Sequence, residues 1–400
     1  MQRIIQTPRQ NWQSKLLEQG FHFHSIDDEG NNLAGKTDKF LYWREDVAYK
    51  FTEEQVETLY EATKELHFMS MSLISDLIKA GDLSRLHIPE KAQNLITNSF
   101  NISEPHLYGR FDLSWNGEGD PKMLEYNADT PTSIIESSIA QWFWKEDVYP
   151  QFDQYNSLHE AFIERWKFIK NFYDLKSIHM GCMFESQEDV GNIEYMMECA
   201  LQAGLEAKIL NIPDIGIDAQ GNYLDEKDFT IESMFKLYPW EFFFQEEFFD
   251  YFTKNNTKWI EPIWKAALSN KAILPLLWEK FPNHPNILPA FFTPEEFTKG
   301  NYVKKPILSR EGANISIFRN HVEFNVTPGS YTDSGYIYQA YSPLPAFESP
   351  ETTAWLKSDV VYPVIGSWVV GDEPAGICIR EDISSITKNT SYFVPHYFVS

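Results

Sequence analysis

The stretch that most constrains this chain is residues 108–133, YGRFDLSWNGEGDPKMLEYNADTPTS. Two alternating runs flank Asn116-Gly117, with Gly119 and Pro121 close behind, and this turn chemistry predicts a β-hairpin. Side chains alternate across a strand, so Arg110, Asp112 and Ser114 share one face while Phe111, Leu113 and Trp115 share the other. The same rule groups Met123, Glu125, Asn127 and Asp129 opposite Leu124, Tyr126 and Ala128. One face must therefore lie on a core. The other gathers three carboxylates, an amide and a guanidinium. Hard oxygen donors of this kind suit Mg²⁺, which takes one or two carboxylates together with substrate phosphates. Acids at i and i+2 are also common on ordinary wet strands, so spacing alone leaves both readings open.

Composition narrows the function classes. The 400 residues are 43% hydrophobic and 23% charged, which suits a globular protein with a sizeable core. A net charge of −24 opposes nucleic acid and anionic membrane surfaces, both of which require basic patches. It attracts polycations such as polyamines, although acidity also serves solubility alone. Cys182, Cys199 and Cys378 form no CxxC pair and read as reduced thiols, not a disulfide framework or zinc site. The start MQRIIQTPRQNW lacks the apolar core of a signal peptide, and no apolar run is long enough to span a membrane. The expectation is a soluble cytoplasmic protein without an obligate protein partner.

Residues 1–100 read as mostly helical. Val56, Leu59, Ala62, Leu66, Met69 and Leu73 recur at helical spacing, and Thr52 with Gln55 predicts a capping box. A buried helix is expected over 134–144 and an amphipathic one over 156–172. Strand 178–184, helix 190–203 and strand 205–210 make a βαβ unit, hence a parallel-sheet lobe without a Gly-rich dinucleotide fingerprint. The aromatic block after Pro239 reads as a helix with a core stripe. A strand over 302–308 precedes the turn 309–313 and a strand over 314–318. Lysine on a strand before such a turn offers a fixed charge and backbone N–H groups to a phosphate. Thr130, Thr132 and Ser133 precede a helix, where they serve either an anion or plain capping. Arg380 follows an alternating run beside Glu381, as a carboxylate clamp or a structural ion pair.

The literal strings narrow this further. GRFD at 109–112, LEYNADTPTS at 124–133, NKAILPLLW at 270–278, FPNHPNILPAFF at 281–292, YVKKPILSREGANISI at 302–317 and the segment 364–396 resemble, in order, the glutathionylspermidine synthase family. The resemblance implies an α/β ATP-grasp fold with a pre-ATP-grasp parallel-sheet lobe and a helical N-terminal region. It implies one interleaved unit over 1–400, with sublobes at 1–100, 101–250 and 251–400. The cofactors implied are ATP and Mg²⁺. Asp112, Glu125 and Asn127 would hold the metal, Lys271 and Lys305 would contact phosphates, and Gly312 would sit in a lid. Arg110, Thr130, Thr132 and Arg380 would bind a glutathione-like peptide, with Arg110 also catalytic, and Gln339 would line the adenine pocket. The reaction implied is ATP-dependent joining of a carboxylate to an amine such as a polyamine. Bifunctional relatives carry an amidase domain with a catalytic cysteine; residues before the hairpin contain none, so product hydrolysis is not expected.

The chemistry fits that role. Acyl transfer through phosphate crowds anions, so metal ligands, lysines and arginines matter more than a nucleophile. No GxSxG, HExxH or P-loop motif is present. Two other classes stand beside it. Twelve Trp with paired carboxylates suit a sugar cleft and a glycoside hydrolase. A non-catalytic binding protein on a ligase fold is the other.

Overall fold

The 108–133 hairpin forms, and it ends a six-stranded antiparallel sheet. This computed structural model describes residues 1–25, 42–329, 331, 335–350 and 358–400. Strand Lys122–Asn127 pairs with Tyr108–Ser114, which pairs with Val360–Val370, then Glu373–Asp382 and Tyr392–Phe393; Phe347–Glu348 adds to Val360–Val370. Arg110 lies opposite Asn127 and Asp112 opposite Glu125, but Leu113 lies opposite Met123, so Leu124 is a bulge. An unpaired residue resets strict alternation. Met123 therefore turns into the core, 1% exposed, and does not share the acidic face as alternation predicts. Leu124 faces the cavity instead.

The βαβ reading gives a four-stranded parallel sheet in the order Lys258–Ile260, Ser233–Lys236, Ser177–Cys182, Glu206–Asn211. Helix Gln187–Gln202 makes the crossover, its N-terminus capped by the Ser186 hydroxyl accepting from the Asp189 N–H. A third sheet is antiparallel, ordered Ala290–Phe291, Tyr336–Ala340, Tyr302–Pro306, Ser316–Arg319, Val322–Val326.

The N-terminal region is only partly helical. Helix Glu53–Ala80 opens on the Thr52–Gln55 capping box and stops at Gly81, whose φ of 72° suits a residue without a Cβ. Strands Gln2–Ile5 and Val47–Thr52, however, form a small sheet with His396–Val399. Val47, Ala48, Tyr49 and Phe51 are all buried, so the strand lacks the alternation that would announce it. The aromatic block likewise yields only one turn, Trp240–Phe243, followed by a 3₁₀ turn at Glu247–Tyr251. Trp240 sets Phe243 edge-on at 5.5 Å and Trp259 at 5.9 Å, and ring packing sets the backbone there. The expected 134–144 helix becomes a π-helical stretch, Glu136–Ala140, leading into helix Gln141–Val148. No helix among the described residues is long and apolar enough to cross a membrane.

Candidate active site

The three larger sheets enclose a cavity of about 460 Å³. Arg110, Asp112, Glu125, Asn127, Thr130, Thr132, Lys305, Gly312, Gln339 and Arg380 all line it. Lys271 stands just behind, with its ammonium 3.2 Å from a Glu125 oxygen. Residues far apart in sequence thus meet at one face of the hairpin.

Cross-strand register brings Asp112 and Glu125 side by side. The Asn127 amide N–H group donates to both, at 3.4 Å and 3.2 Å. Turned by 180°, that amide would offer a third oxygen at the same point, since its two ends are interchangeable in shape. The donor set fits a hard divalent cation. The two acids are shifted in opposite directions. Burial raises the Asp112 carboxyl above its ordinary value, opposed by Arg110 and reinforced by the Glu125 charge. Burial would also raise Glu125, but Lys271 and Lys305 overcome it and hold the group down at about 2. Glu125 is therefore an anion at any working pH.

The lysines reach the same point from other elements. Lys305, on strand Tyr302–Pro306, donates to the Leu124 carbonyl at 2.8 Å and to Gln339 Oε1 at 2.7 Å. Gln339 in turn donates to the Met123 carbonyl at 3.0 Å. Burial lowers the Lys305 ammonium to about 8 despite the Glu125 charge. Lys271 donates to the Ser309 carbonyl at 2.7 Å, at the mouth of the 309–313 turn. In that turn Glu311 and Gly312 both have positive φ, 55° and 69°. A Cβ on Gly312 would lie 2.3 Å from the Thr387 carbonyl oxygen, so only glycine fits there.

Arg110 donates to Asp112 at 2.8 Å and to the Thr132 carbonyl at 2.8 Å, stacked over Trp368. Arg380 is not paired with Glu381. It donates to the carbonyls of Lys388, Asn389 and Ser391 at 2.8–3.1 Å and to the Ser133 hydroxyl at 3.3 Å. Glu381 pairs instead with Arg3, at 2.8 Å. Thr130 accepts a 2.6 Å bond from Arg310, a cavity residue to which the sequence reading gave no role. Asp129 also departs from the acidic face. It lies past the strand end, paired with Lys236 at 2.7 Å and accepting the Trp240 N–H at 2.8 Å.

A second group of acids faces these cations. Asp189 and Glu311 line the cavity, and Glu136 and Glu188 lie behind them. Burial and then the Glu188 charge push Glu136 up to about 7 and Asp189 up to about 7, and raise Glu311. One oxygen each of Glu136 and Glu188 is buried without a hydrogen-bond partner among the described residues. Mutual repulsion and orphaned acceptors are what an entering cation would relieve. Glu136, Glu188 and Asp189 fall in unremarkable stretches, ESSIA and SQEDV, where only the fold makes them neighbours.

The family model described as glutathionylspermidine synthase preATP-grasp matches residues 3–399. The chain is 40% identical to a Haemophilus influenzae protein provisionally named an acid–amine ligase, with all of both chains covered. It is 28% identical to the bifunctional glutathionylspermidine synthetase/amidase of Escherichia coli, and 26% to the trypanothione synthetase of Crithidia fasciculata. In each case 87% of this chain aligns with 58% of the relative, so those proteins are much longer than the matched part. A solved glutathione synthetase-like effector from Globodera pallida superposes with a TM-score of 0.60 at 10% identity, covering 98% of this chain and all of that one. That likeness shows the fold alone: α/β, of the glutathione synthetase-like ATP-grasp type. The match over nearly the whole length establishes that the chain belongs to the glutathionylspermidine synthase family.

Proposed function

We propose that the protein is an ATP- and Mg²⁺-dependent carboxylate–amine ligase that joins a glutathione-like peptide to a polyamine-like amine. The observation that carries this is one cavity lined by Lys305, Arg110, Arg310 and Arg380, with Lys271 behind, together with an acidic wall of Asp189 and Glu311, with Glu136 and Glu188 behind. A ligase for an anion and a polycation needs both walls within one reach.

In this reading ATP is a substrate. The peptide carboxylate takes the γ-phosphoryl group, releasing ADP. The amine nitrogen then attacks the acyl carbon: a C–N bond forms, the C–O bond to phosphate breaks, and phosphate and a proton leave. Mg²⁺ held by Asp112, Glu125 and Asn127 would neutralise phosphate charge. Lys271 and Lys305 would hold the phosphate oxygens, with Gln339 and Leu124 near the base. Arg110 would face the carbonyl oxygen as negative charge develops, and Thr130, Thr132 and Arg380 would hold the peptide. The acidic wall would receive the amine. A depressed-charge wall suits the task, because its carboxyl groups gain full charge as the cation enters.

The glycosidase reading loses its support: no tryptophan among the described residues lines the cavity, and the two hairpin acids are engaged by Arg110 and Lys271. The test is an ADP-release screen with Mg-ATP across thiol peptides and polyamines. The expected result is ADP release only when both partners are present. Sugar release without ATP, or no nucleotide turnover with any pair, would overturn the reading.

A further inference from the structure

We propose a second metal site, for a divalent transition ion of the zinc class, formed by His67, His106 and Asp372 on the far side of the hairpin. His67 lies on helix Glu53–Ala80, His106 just before strand Tyr108–Ser114, and Asp372 in the turn between Val360–Val370 and Glu373–Asp382. Three separate elements thus deliver one ligand atom each. The inference does not depend on the ligase reading.

The spacing fits a shared ion. His67 Nε2 and His106 Nε2 lie 3.2 Å and 3.1 Å from the same Asp372 oxygen, and all the ligand atoms fall within 4.8 Å of one another. Tetrahedral bonds of about 2.0–2.1 Å place neighbouring ligand atoms roughly 3.3 Å apart, so little movement is needed. The imidazoles stack at 5.7 Å with a 16° tilt and are buried, whereas the Asp372 side chain is 66% exposed. Burial on two sides fixes the rings, and exposure on the third leaves an entry path and room for water. No other trio of His, Cys, Asp or Glu among the described residues meets this geometry.

The outer contacts decide the class of site. His67 Nδ1 is 3.0 Å from the Tyr126 hydroxyl, which can accept the N–H that metal ligation leaves there. His106 Nδ1 instead faces the Lys265 ammonium at 3.4 Å, which donates to the Tyr108 carbonyl at 2.8 Å. An ammonium cannot accept that N–H. This mismatch counts against a tightly held structural ion and favours an exchangeable one. It also favours imidazole-preferring ions over Mg²⁺. The site touches the catalytic face through Tyr126, which sits between Glu125 and Asn127 and stacks on Phe111 at 3.8 Å.

The test is Co²⁺ and Zn²⁺ titration of the full chain in excess Mg²⁺, a competitor for all-oxygen sites such as Asp112–Glu125. The expected result is one equivalent of Co²⁺ with the visible absorption of a nitrogen–oxygen site, displaced by Zn²⁺. Asp372→Asn, on an exposed turn, and His67→Gln should each weaken binding by at least about tenfold with melting temperature little changed. Unchanged binding in both variants would overturn the proposal. So would a sulfur-to-cobalt charge-transfer band, which would place the ion at a cysteine, or no stoichiometric binding below millimolar metal.

Discussion

At the scale of single residues, the chemistry of this site lies in how burial and neighbours set charge. Lys305 is the sharpest case. Its ammonium is intact below about 8 and lost as pH rises through that value. Nucleotide binding through that charge should therefore weaken on the alkaline side, whereas Lys305→Arg should hold it flat, because guanidinium stays protonated. Calorimetric affinities for a non-hydrolysable nucleotide across this range provide the check; a parallel decline in both proteins would refute the role. Stability moves oppositely. An unfolded lysine keeps its proton up to 10.5, so between about 8 and 10.5 the folded chain holds fewer protons and gains stability with pH. The hairpin's residue types were legible because alternation and turn chemistry are local. Glu136, Glu188 and Arg310 were not, because no local pattern distinguishes a buried charged group from a solvated one. Asp129 differs for a related reason: alternation predicts it on the acidic face, but the strand ends at Asn127 and Lys236 takes its carboxylate.

At the scale of elements, the long helix, the βαβ unit and the main strands announced themselves by period, cap and glycine stop. The strands near the N-terminus did not: Val47–Thr52 is buried on both faces, and Gln2–Ile5 is only four residues long. The turn 309–313 is where element geometry meets function. Gly312 packs against the Thr387 carbonyl in a left-handed conformation, bringing the turn onto the segment that Arg380 holds. Gly312→Ala should push these two loops apart. Turnover should fall by an order of magnitude or more while the melting temperature drops only slightly, because both loops lie at the rim. Steady-state kinetics beside thermal unfolding would decide it, and wild-type turnover in the variant would remove Gly312 from the lid. The family resemblance carried what periodicity could not, namely which of many lysines to place at the cavity.

At the scale of the whole molecule, net charge and cavity polarity act together. A chain of net charge −24 concentrates polycations around itself, and added salt screens that field within about 10 Å at 0.1 M. The apparent affinity for a polyamine should thus fall several-fold between low and moderate salt, while that for a neutral amine analogue stays nearly constant. Initial-rate measurements with the two amines would reveal it, and equal sensitivity would rule out steering. Within the same frame, the extra residue at Leu124 has a consequence beyond its strand. It leaves Leu124 without a partner on the adjacent strand, and its carbonyl and that of Met123 beside it are the groups that Lys305 and Gln339 grasp from the neighbouring sheet. The two halves of the cavity are stitched together at an irregularity one amino acid long. Excising that amino acid would give a tidier ribbon and an enzyme whose halves no longer share a seam.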